Sequence, residues 1–197
     1  MSKAVMLSIR PKWVEKIASG EKTIEVRKTK PKLETPFKAY IYCTLPKYPH
    51  EDFILTDYPK PQFYGGGKVI GEFTCTNLDW ITRVGFSGRL MPSRYSICSH
   101  NNMNVLPIDD LLHAARLSYM ELADYLDGGN GYGWHISDLL IYDQPRELTA
   151  FRRACPNSWY CESCAMYWEN NGTCGNESLQ FRRPPQSWRY VEAMKDE

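Results

Sequence analysis

The sequence contains no long apolar run. None of its 197 residues lies in a stretch that approaches the roughly 20 apolar residues of a membrane-spanning helix. The N-terminal Met-Ser-Lys is not followed by a long apolar run either, so we expect no signal peptide. Internal repeats and low-complexity tracts are also missing, which excludes repeat architectures. The sequence therefore predicts a globular cytoplasmic protein.

The chain also lacks a large excess of charge, because its formal net charge is only +1. The distribution of charge is uneven, however. Residues 1–32 carry nine Lys and Arg residues against three glutamates, a net charge of +6. A local basic patch can bind phosphate even on a protein that is neutral overall. The alternative is that these side chains form the solvated faces of a helix and a strand.

Short segments with the apolar periodicity of a helix alternate along the chain with short segments that have the periodicity of a strand. Ser118 and Glu121 form a capping-box pattern, which predicts the start of a helix at 119. Residues 46–67 are rich in Pro, Tyr and Gly and are predicted as a loop, whereas residues 83–107 show no clear pattern. The mixed order predicts an α+β fold. The periodicity predicts helices at 11–19, 111–115 and 119–126, and strands at 6–9, 22–28, 40–45, 69–75, 131–136, 139–142 and 187–192.

Two N-terminal segments carry a recognisable motif. Residues 7–12 read Leu-Ser-Ile-Arg-Pro-Lys, and residues 19–28 read Ser-Gly-Glu-Lys-Thr-Ile-Glu-Val-Arg-Lys. This order of strand, helix, Gly-x-Lys-Thr and a strand ending in Arg-Lys resembles the ASC-1 homology (ASCH) family of the PUA-like superfamily. Further segments fit in the same order, and the ending resembles that of longer members common in prophages and gut bacteria. These further segments are 40–46, 68–73, 132–136, 142–145 and 183–188.

The resemblance implies a PUA-like small mixed β-barrel with flanking helices. It implies a basic cleft lined by the Gly-x-Lys-Thr turn and the following strand, in a family whose members bind RNA or nucleotides. On this basis we expect residues 1–150 to form the barrel core and residues 183–197 to supply its closing strand. Residues 151–182 are expected to form a zinc-knuckle insertion.

Some small bacterial members of the family hydrolyse the acetyl amide of N4-acetylcytidine. The resemblance assigns that chemistry to the lysine of Gly-x-Lys-Thr, a threonine three residues later and a glutamate near the second helix. Lys22 matches the lysine, while Glu25 stands in the place of the threonine. Before Ser118 the nearest carboxylates are Asp109 and Asp110. If the chain is an enzyme, Lys22 and Glu25 are its candidate catalytic residues.

The candidate ligand-binding residues lie on the 22–28 strand and on the strand that begins at 131. A desolvated Lys22 would lose basicity and serve as a base or nucleophile, and Arg27 would bind a phosphate or a base carbonyl in a forked geometry. Aromatic rings in such a cleft stack on bases. The alternatives are a surface ion pair between Glu25 and Arg27, and structural roles for the aromatic residues. The full set is Lys22, Thr23, Glu25, Arg27, Trp134 and His135.

Four of the seven cysteines lie close together, with the spacing Cys-x5-Cys-x2-Cys-x9-Cys. Four thiolates complete the tetrahedral shell of a structural zinc ion, and Cys-x2-Cys is the usual zinc-binding turn. Two disulfides, a redox pair and an iron–sulfur cluster are the alternatives. The predicted zinc ligands are Cys155, Cys161, Cys164 and Cys174. Cys43 and Cys75 fall in apolar strands and are predicted to be buried, inert thiols.

Two pairs of arginines flank the cysteine segment, namely Arg152 with Arg153 and Arg182 with Arg183. We expect these pairs to converge if the segment folds back on itself. Together these features favour a domain that binds RNA or a modified nucleotide. An amidohydrolase acting on an acylated nucleoside is the first alternative, and a regulatory scaffold that binds a protein partner is the second.

Overall fold

The computed structural model describes residues 3–55, 63–84, 94–98, 105–153, 155, 158–171 and 174–194. The helices are α1 (Pro11–Ala18), α2 (Asp109–Ala115), α3 (Tyr119–Leu126) and α4 (Ala165–Glu169). The first five strands are β1 (Lys3–Ile9), β2 (Ile24–Arg27), β3 (Phe37–Cys43), β4 (Ile54–Leu55) and β5 (Phe63–Tyr64). The others are β6 (Lys68–Val84), β7 (Arg94–Cys98), β8 (Val105–Leu106), β9 (Gly131–Glu147) and β10 (Trp188–Glu192).

The chain forms two compact units, each assembled from separated segments. Unit 1 comprises Met1–Val14, Lys38–Glu72 and Leu140–Glu197, and unit 2 comprises Glu15–Phe37 and Phe73–Leu139. Strands and helices occur in both units, which confirms the α+β class predicted from the sequence. No helix of the described residues has the length and apolar character needed to cross a membrane.

Unit 1 is built around β1. This strand is apolar from Ala4 to Leu7 and buried over the same residues. It pairs in parallel with β3 and antiparallel with β10, so strands from distant parts of the sequence lie side by side. A core of buried apolar and aromatic side chains surrounds these strands, including Tyr40, Phe151 and Phe181.

Gly71 has a steric role in unit 1. A Cβ atom at this position would lie 2.4 Å from the carbonyl oxygen of Leu140. Because real Cβ atoms do not approach backbone oxygens this closely, only glycine lets the two segments of backbone come together.

Unit 2 packs α2 and α3 against strands. Its core contains Ile24 and Val26 of β2 together with Leu111, Leu112 and Leu122 of the two helices. Pairings of β2 with β9, of β6 with β7 and of β7 with β8 complete the unit. The predicted capping box is confirmed, because Ser118 Oγ accepts from the Glu121 amide and the Glu121 carboxylate accepts from the Ser118 amide.

Several predicted boundaries were wrong. Both β6 and β9 run for 17 residues, much longer than the strands predicted there, and β9 continues through Pro145 instead of ending before it. The predicted loop 46–67 contains the short pair β4–β5, although residues 56–62 lie outside the described part. In the unassigned stretch 83–107 the structure describes β7 and β8. Long-range pairing, which local patterns do not encode, extends strands in this way.

Candidate functional site

The predicted site residues are carried mainly by β2, which pairs antiparallel with β9. In this register Glu25 lies opposite Trp134, and Ile24 lies opposite His135. Directly paired residues project to the same face of a sheet, whereas consecutive residues project to opposite faces. Glu25 and Trp134 therefore share one face, and His135 projects to the other. The sequence predicted that Trp134 and His135 would line the same cleft, but the pleat of β9 directs them to opposite faces.

Three charged side chains of the Gly-x-Lys-Thr motif and β2 form a buried cluster. Lys22 Nζ lies 3.2 Å from Glu25 Oε2, and Arg27 Nη2 lies 3.1 Å from Glu25 Oε1. The side chains are 2%, 9% and 9% exposed for Lys22, Glu25 and Arg27. We call this group the β2 charge cluster. The ion pair between Glu25 and Arg27 is thus present, but the interpretation of it as a surface pair was wrong.

Lys22 also holds the end of a helix. Its ammonium group donates to the carbonyl of Ile24 at 2.8 Å and to the carbonyl of Ala115, the last residue of α2, at 2.7 Å. A cation at this end of a helix is favoured by the exposed carbonyls and the helix dipole. With Glu25 as a third acceptor, each of the three N–H groups of the ammonium has a partner nearby.

Burial lowers the pKa of Lys22 below its ordinary value of 10.5, and the neighbouring Glu25 carboxylate opposes this shift. The predicted desolvation of Lys22 is therefore present in the structure. The three acceptors nevertheless favour the protonated form, since a neutral amine would leave one of them without a donor. In this arrangement Lys22 is a fixed cation that joins α2 to β2.

The nearest carboxylates upstream of Ser118 lie far from Lys22. Asp109 and Asp110 are exposed at the first turn of α2, while Lys22 contacts the last residue of that helix. At 1.5 Å per residue the two ends of α2 are about 9 Å apart. Neither aspartate therefore stands beside Lys22 as a catalytic partner.

Trp134 is completely buried. Its ring meets the ring of Phe37 edge to face, with the centroids 5.5 Å apart. Of the two interpretations of Trp134, this packing favours a core role over stacking on a base. Thr23, by contrast, is exposed, and its backbone is fixed by hydrogen bonds with Ala114 and Ile136.

Two lysines follow the cluster, the exposed Lys28 and the half-buried Lys30, and each lies near a tyrosine ring. Lys28 Nζ is 5.5 Å from the ring centroid of Tyr125, and Lys30 Nζ is 5.4 Å from that of Tyr132. Interleaved cations and aromatic rings are typical of surfaces that bind single-stranded nucleic acids. Sequence analysis identified the basic segment but not the tyrosines, since these lie about a hundred residues away along the chain.

His135 of β9 has a carboxylate partner, which is Asp79 of β6. Its Nε2 atom lies 2.7 Å from Asp79 Oδ2, and the other oxygen of Asp79 accepts from the side-chain amide of Asn77 at 3.0 Å. Sequence reasoning missed this pair, because the two residues are 56 positions apart and belong to no motif. The pair orients the imidazole ring, which supports a structural role for His135.

The isolated cysteines behave as predicted. Cys43 and Cys75 are fully buried, and burial raises the pKa of each thiol to about 12. Thiols with such pKa values stay protonated and unreactive at neutral pH.

The four clustered cysteines are free thiols in the structure. The Cys161 carbonyl accepts from the Cys164 amide at 3.0 Å, which closes a tight turn through the Cys-x2-Cys motif. Partial burial and the nearby Cys155 and Cys174 raise the pKa of Cys161. Among the described residues, however, no three His, Cys, Asp or Glu side chains are arranged to share a metal ion. Zinc binding therefore stays a prediction from the sequence.

The β2 charge cluster leads to a prediction about stability. We expect Glu25→Gln to lower the free energy of unfolding by about 3 kcal/mol, because it leaves two buried cations without their shared carboxylate. Urea unfolding of the purified variant measures this effect.

Glu21→Gln provides the matched control, since Glu21 also lies between two cations, Lys16 at 3.7 Å and Arg116 at 3.8 Å. Its side chain is 51% exposed, so its loss should change stability by less than about 1 kcal/mol. Equal losses of unfolding free energy in the two variants would contradict the conclusion that burial strengthens the contribution of the cluster to stability.

Comparisons with known proteins give a limited result. No protein-family model matches the chain, and no curated protein sequence matches it. Among solved structures the chain is similar to ASCH from Zymomonas mobilis, with 17% identity and a TM-score of 0.46 over 96% of this chain and 87% of that chain. A mutant of the same protein gives 17% identity and a TM-score of 0.46 over 97% and 91%. A likeness of this size does not establish a shared family, so membership in the ASCH family stays a prediction from the sequence.

Proposed function

We propose that this chain is an ASCH-type, PUA-like domain that binds RNA or a modified nucleotide at the surface formed by the Gly-x-Lys-Thr turn and β2. The observation that carries the proposal is the burial of the β2 charge cluster. Replacing a buried ion cluster by apolar side chains of similar volume is often neutral or stabilising. Stability alone therefore does not require charged side chains in this joint, and the cluster also fixes the strand that presents the exposed Thr23 and Lys28 to a ligand.

The exposed residues around the cluster have the chemistry that such a ligand needs. Thr23 offers a hydroxyl group, and Lys28 offers an ammonium group at the end of β2. Lys30 and the neighbouring tyrosines extend the basic surface beyond the strand. Lysines neutralise phosphates, and the phosphate backbone dominates the affinity of most proteins for nucleic acids.

The first test of this proposal measures binding of a fluorescein-labelled single-stranded RNA of about ten nucleotides, a length typical of such sites. We expect Lys28→Gln/Lys30→Gln to weaken binding and to lower the slope of log K against log salt by about 1.4, for two lost phosphate contacts. Fluorescence anisotropy between 50 and 200 mM salt gives both quantities.

Lys47→Gln/Lys68→Gln is the control, because it removes two positive charges from unit 1. An unchanged affinity in the Lys28→Gln/Lys30→Gln variant, or one reduced equally in both variants, would rule out a specific role for this surface.

Hydrolysis of an acylated nucleoside is the alternative function, and the lowered pKa of Lys22 is the observation that favours it. In that reaction water would add to the amide carbonyl of N4-acetylcytidine, the C–N bond would break, and acetate and cytidine would leave. Two features favour binding instead. Glu25 takes the place of the threonine, and the Lys22 ammonium is held by two carbonyls and a carboxylate.

Incubation with N4-acetylcytidine separates these two functions. We expect the wild-type protein to release no cytidine at neutral pH. Chromatography of the reaction mixture measures this release. The outcome that contradicts the binding proposal is turnover by the wild type that is lost in Lys22→Met and kept in the control Lys16→Met. This result would show that the chain is a hydrolase.

We further propose that the four clustered cysteines bind a structural zinc ion. The donor set supports this, since all four thiols are free and the Cys-x2-Cys motif forms a tight turn in which the Cys161 carbonyl accepts from the Cys164 amide. The segment also has little apolar support of its own, because Met166 and Trp168 of α4 are exposed. Metal binding supplies folding free energy to segments of this kind, and coordination would draw the thiolates together.

Metal analysis of the purified protein tests the zinc proposal. We expect about one equivalent of zinc per chain, retained on dialysis and lost in Cys161→Ser/Cys164→Ser. Cys43→Ser is the control that removes a buried thiol outside the segment. A wild-type protein without stoichiometric metal would show that these four cysteines do not bind zinc.

A further inference from the structure

A cavity of about 600 Å³ lies in unit 1, lined by residues at the two ends of the cysteine segment and by one residue of β10. Four arginines line it, and one carboxylate, that of Glu177, accompanies them. We propose that this arginine cavity binds a phosphate-bearing ligand, either a phosphodiester of RNA or the phosphate of a free nucleotide. The four arginines are Arg153, Arg182, Arg183 and Arg189.

Backbone pairing brings these arginines together from three parts of the chain. Arg152 forms an antiparallel bridge with Gln180, and Arg153 forms another with Val191 of β10. The Arg153 amide donates to the Leu179 carbonyl at 2.7 Å, which fixes the position of the cavity wall. The backbone of unit 1 therefore brings these residues together, independently of the conformations of their side chains.

The floor and the rim of the cavity are also fixed. Phe181 lies between the wall and the core of unit 1, where it is only 2% exposed. The segment that follows is held to β1, because Ser8 Oγ donates to the Pro185 carbonyl at 2.6 Å and the Ser8 amide donates to the Ser187 carbonyl at 2.9 Å. Two adjacent prolines, Pro184 and Pro185, restrict its backbone further.

The electrostatics of the cavity favour an anion. Four guanidinium groups against one carboxylate leave a formal excess of three positive charges among the lining residues. Arg153 already donates to the Ser178 carbonyl, while Arg182 and Arg183 have exposed side chains. Like charges this concentrated repel each other in the free protein, and a bound anion relieves that repulsion. The cavity is thus complementary to a ligand that carries more than one negative charge.

Phosphate meets these requirements better than the carboxylates of an acidic peptide. A phosphate monoester carries about two negative charges at one point, whereas each carboxylate carries one. Guanidinium groups bind phosphate oxygens through two parallel hydrogen bonds, so several arginines can share one phosphate. A volume of about 600 Å³ also lies within the range of small-molecule sites.

The sequence predicted only part of this cavity. Arg153, Arg182 and Arg183 converge as expected, but Arg152 is not among the residues that line the cavity. Arg189 replaces it, since β10 presents this exposed residue beside the bridge to Arg153. The cavity belongs to unit 1, whereas the β2 charge cluster belongs to unit 2, so the two sites are tested independently.

The experiment compares Arg182→Gln/Arg183→Gln with the control Lys47→Gln/Lys68→Gln, which removes the same charge from unit 1 without touching the cavity. Two probes are used, the labelled RNA and uridine 5′-monophosphate, whose binding is followed by calorimetry. We expect the arginine variant to bind RNA about tenfold more weakly than the control at low salt, with the salt slope lowered by about 1.4.

Loss of binding for both probes identifies the phosphate of a free nucleotide as a sufficient ligand, and loss for RNA alone identifies the phosphodiester backbone. Equal binding by the arginine variant and the control for both probes overturns the proposal. Displacement of RNA by poly-glutamate at lower concentration than by uridine 5′-monophosphate also overturns it, in favour of an acidic peptide. If the proposed function of β2 fails instead, Lys28→Gln/Lys30→Gln binds like its control while the arginine variant remains defective.

Discussion

The contact between the Lys22 ammonium and the end of α2 is the constraint on which the organisation of unit 2 depends. One side chain satisfies the last carbonyl of the helix, a carbonyl of β2 and the Glu25 carboxylate. A backbone hydrogen bond also joins the start of β2 to α2, since the Thr23 amide donates to the Ala114 carbonyl at 2.9 Å. The motif that suggested a catalytic lysine thus builds a joint between a helix and a strand, and this joint places Thr23 and Lys28 at the surface.

A fixed ammonium and a reactive amine require different surroundings. A lysine that acts as a nucleophile must lose its proton and move toward its substrate, so it benefits from burial without strong acceptors. Lys22 has the burial but also has three acceptors within 3.2 Å. Burial and hydrogen bonding act on its pKa in opposite directions, and the geometry keeps the group in place. The surroundings of Lys22 are those of a fixed ammonium group.

Local features were predictable from the sequence and long-range ones were not. The capping box of α3 spans only four residues, so the pattern around Ser118 contains all of its partners. The partner of Lys22 on α2 is 93 residues away, and no periodicity indicates that contact. The alternation of β2 identified which residues share a face, but it did not reveal that the charged face is buried as well. Only the assembled fold decides whether a polar face meets water or protein.

The bridge between Arg152 and Gln180 has a further consequence for the cysteine segment. Because this bridge holds the two ends of the segment side by side, the segment begins and ends at nearly the same point of unit 1. A segment whose two ends adjoin can change in length, or be replaced by a short turn, without moving the strands to which it is attached. The arginine cavity is formed at these ends and by β10. A change in the length of the cysteine segment is therefore expected to leave the arginine cavity in place.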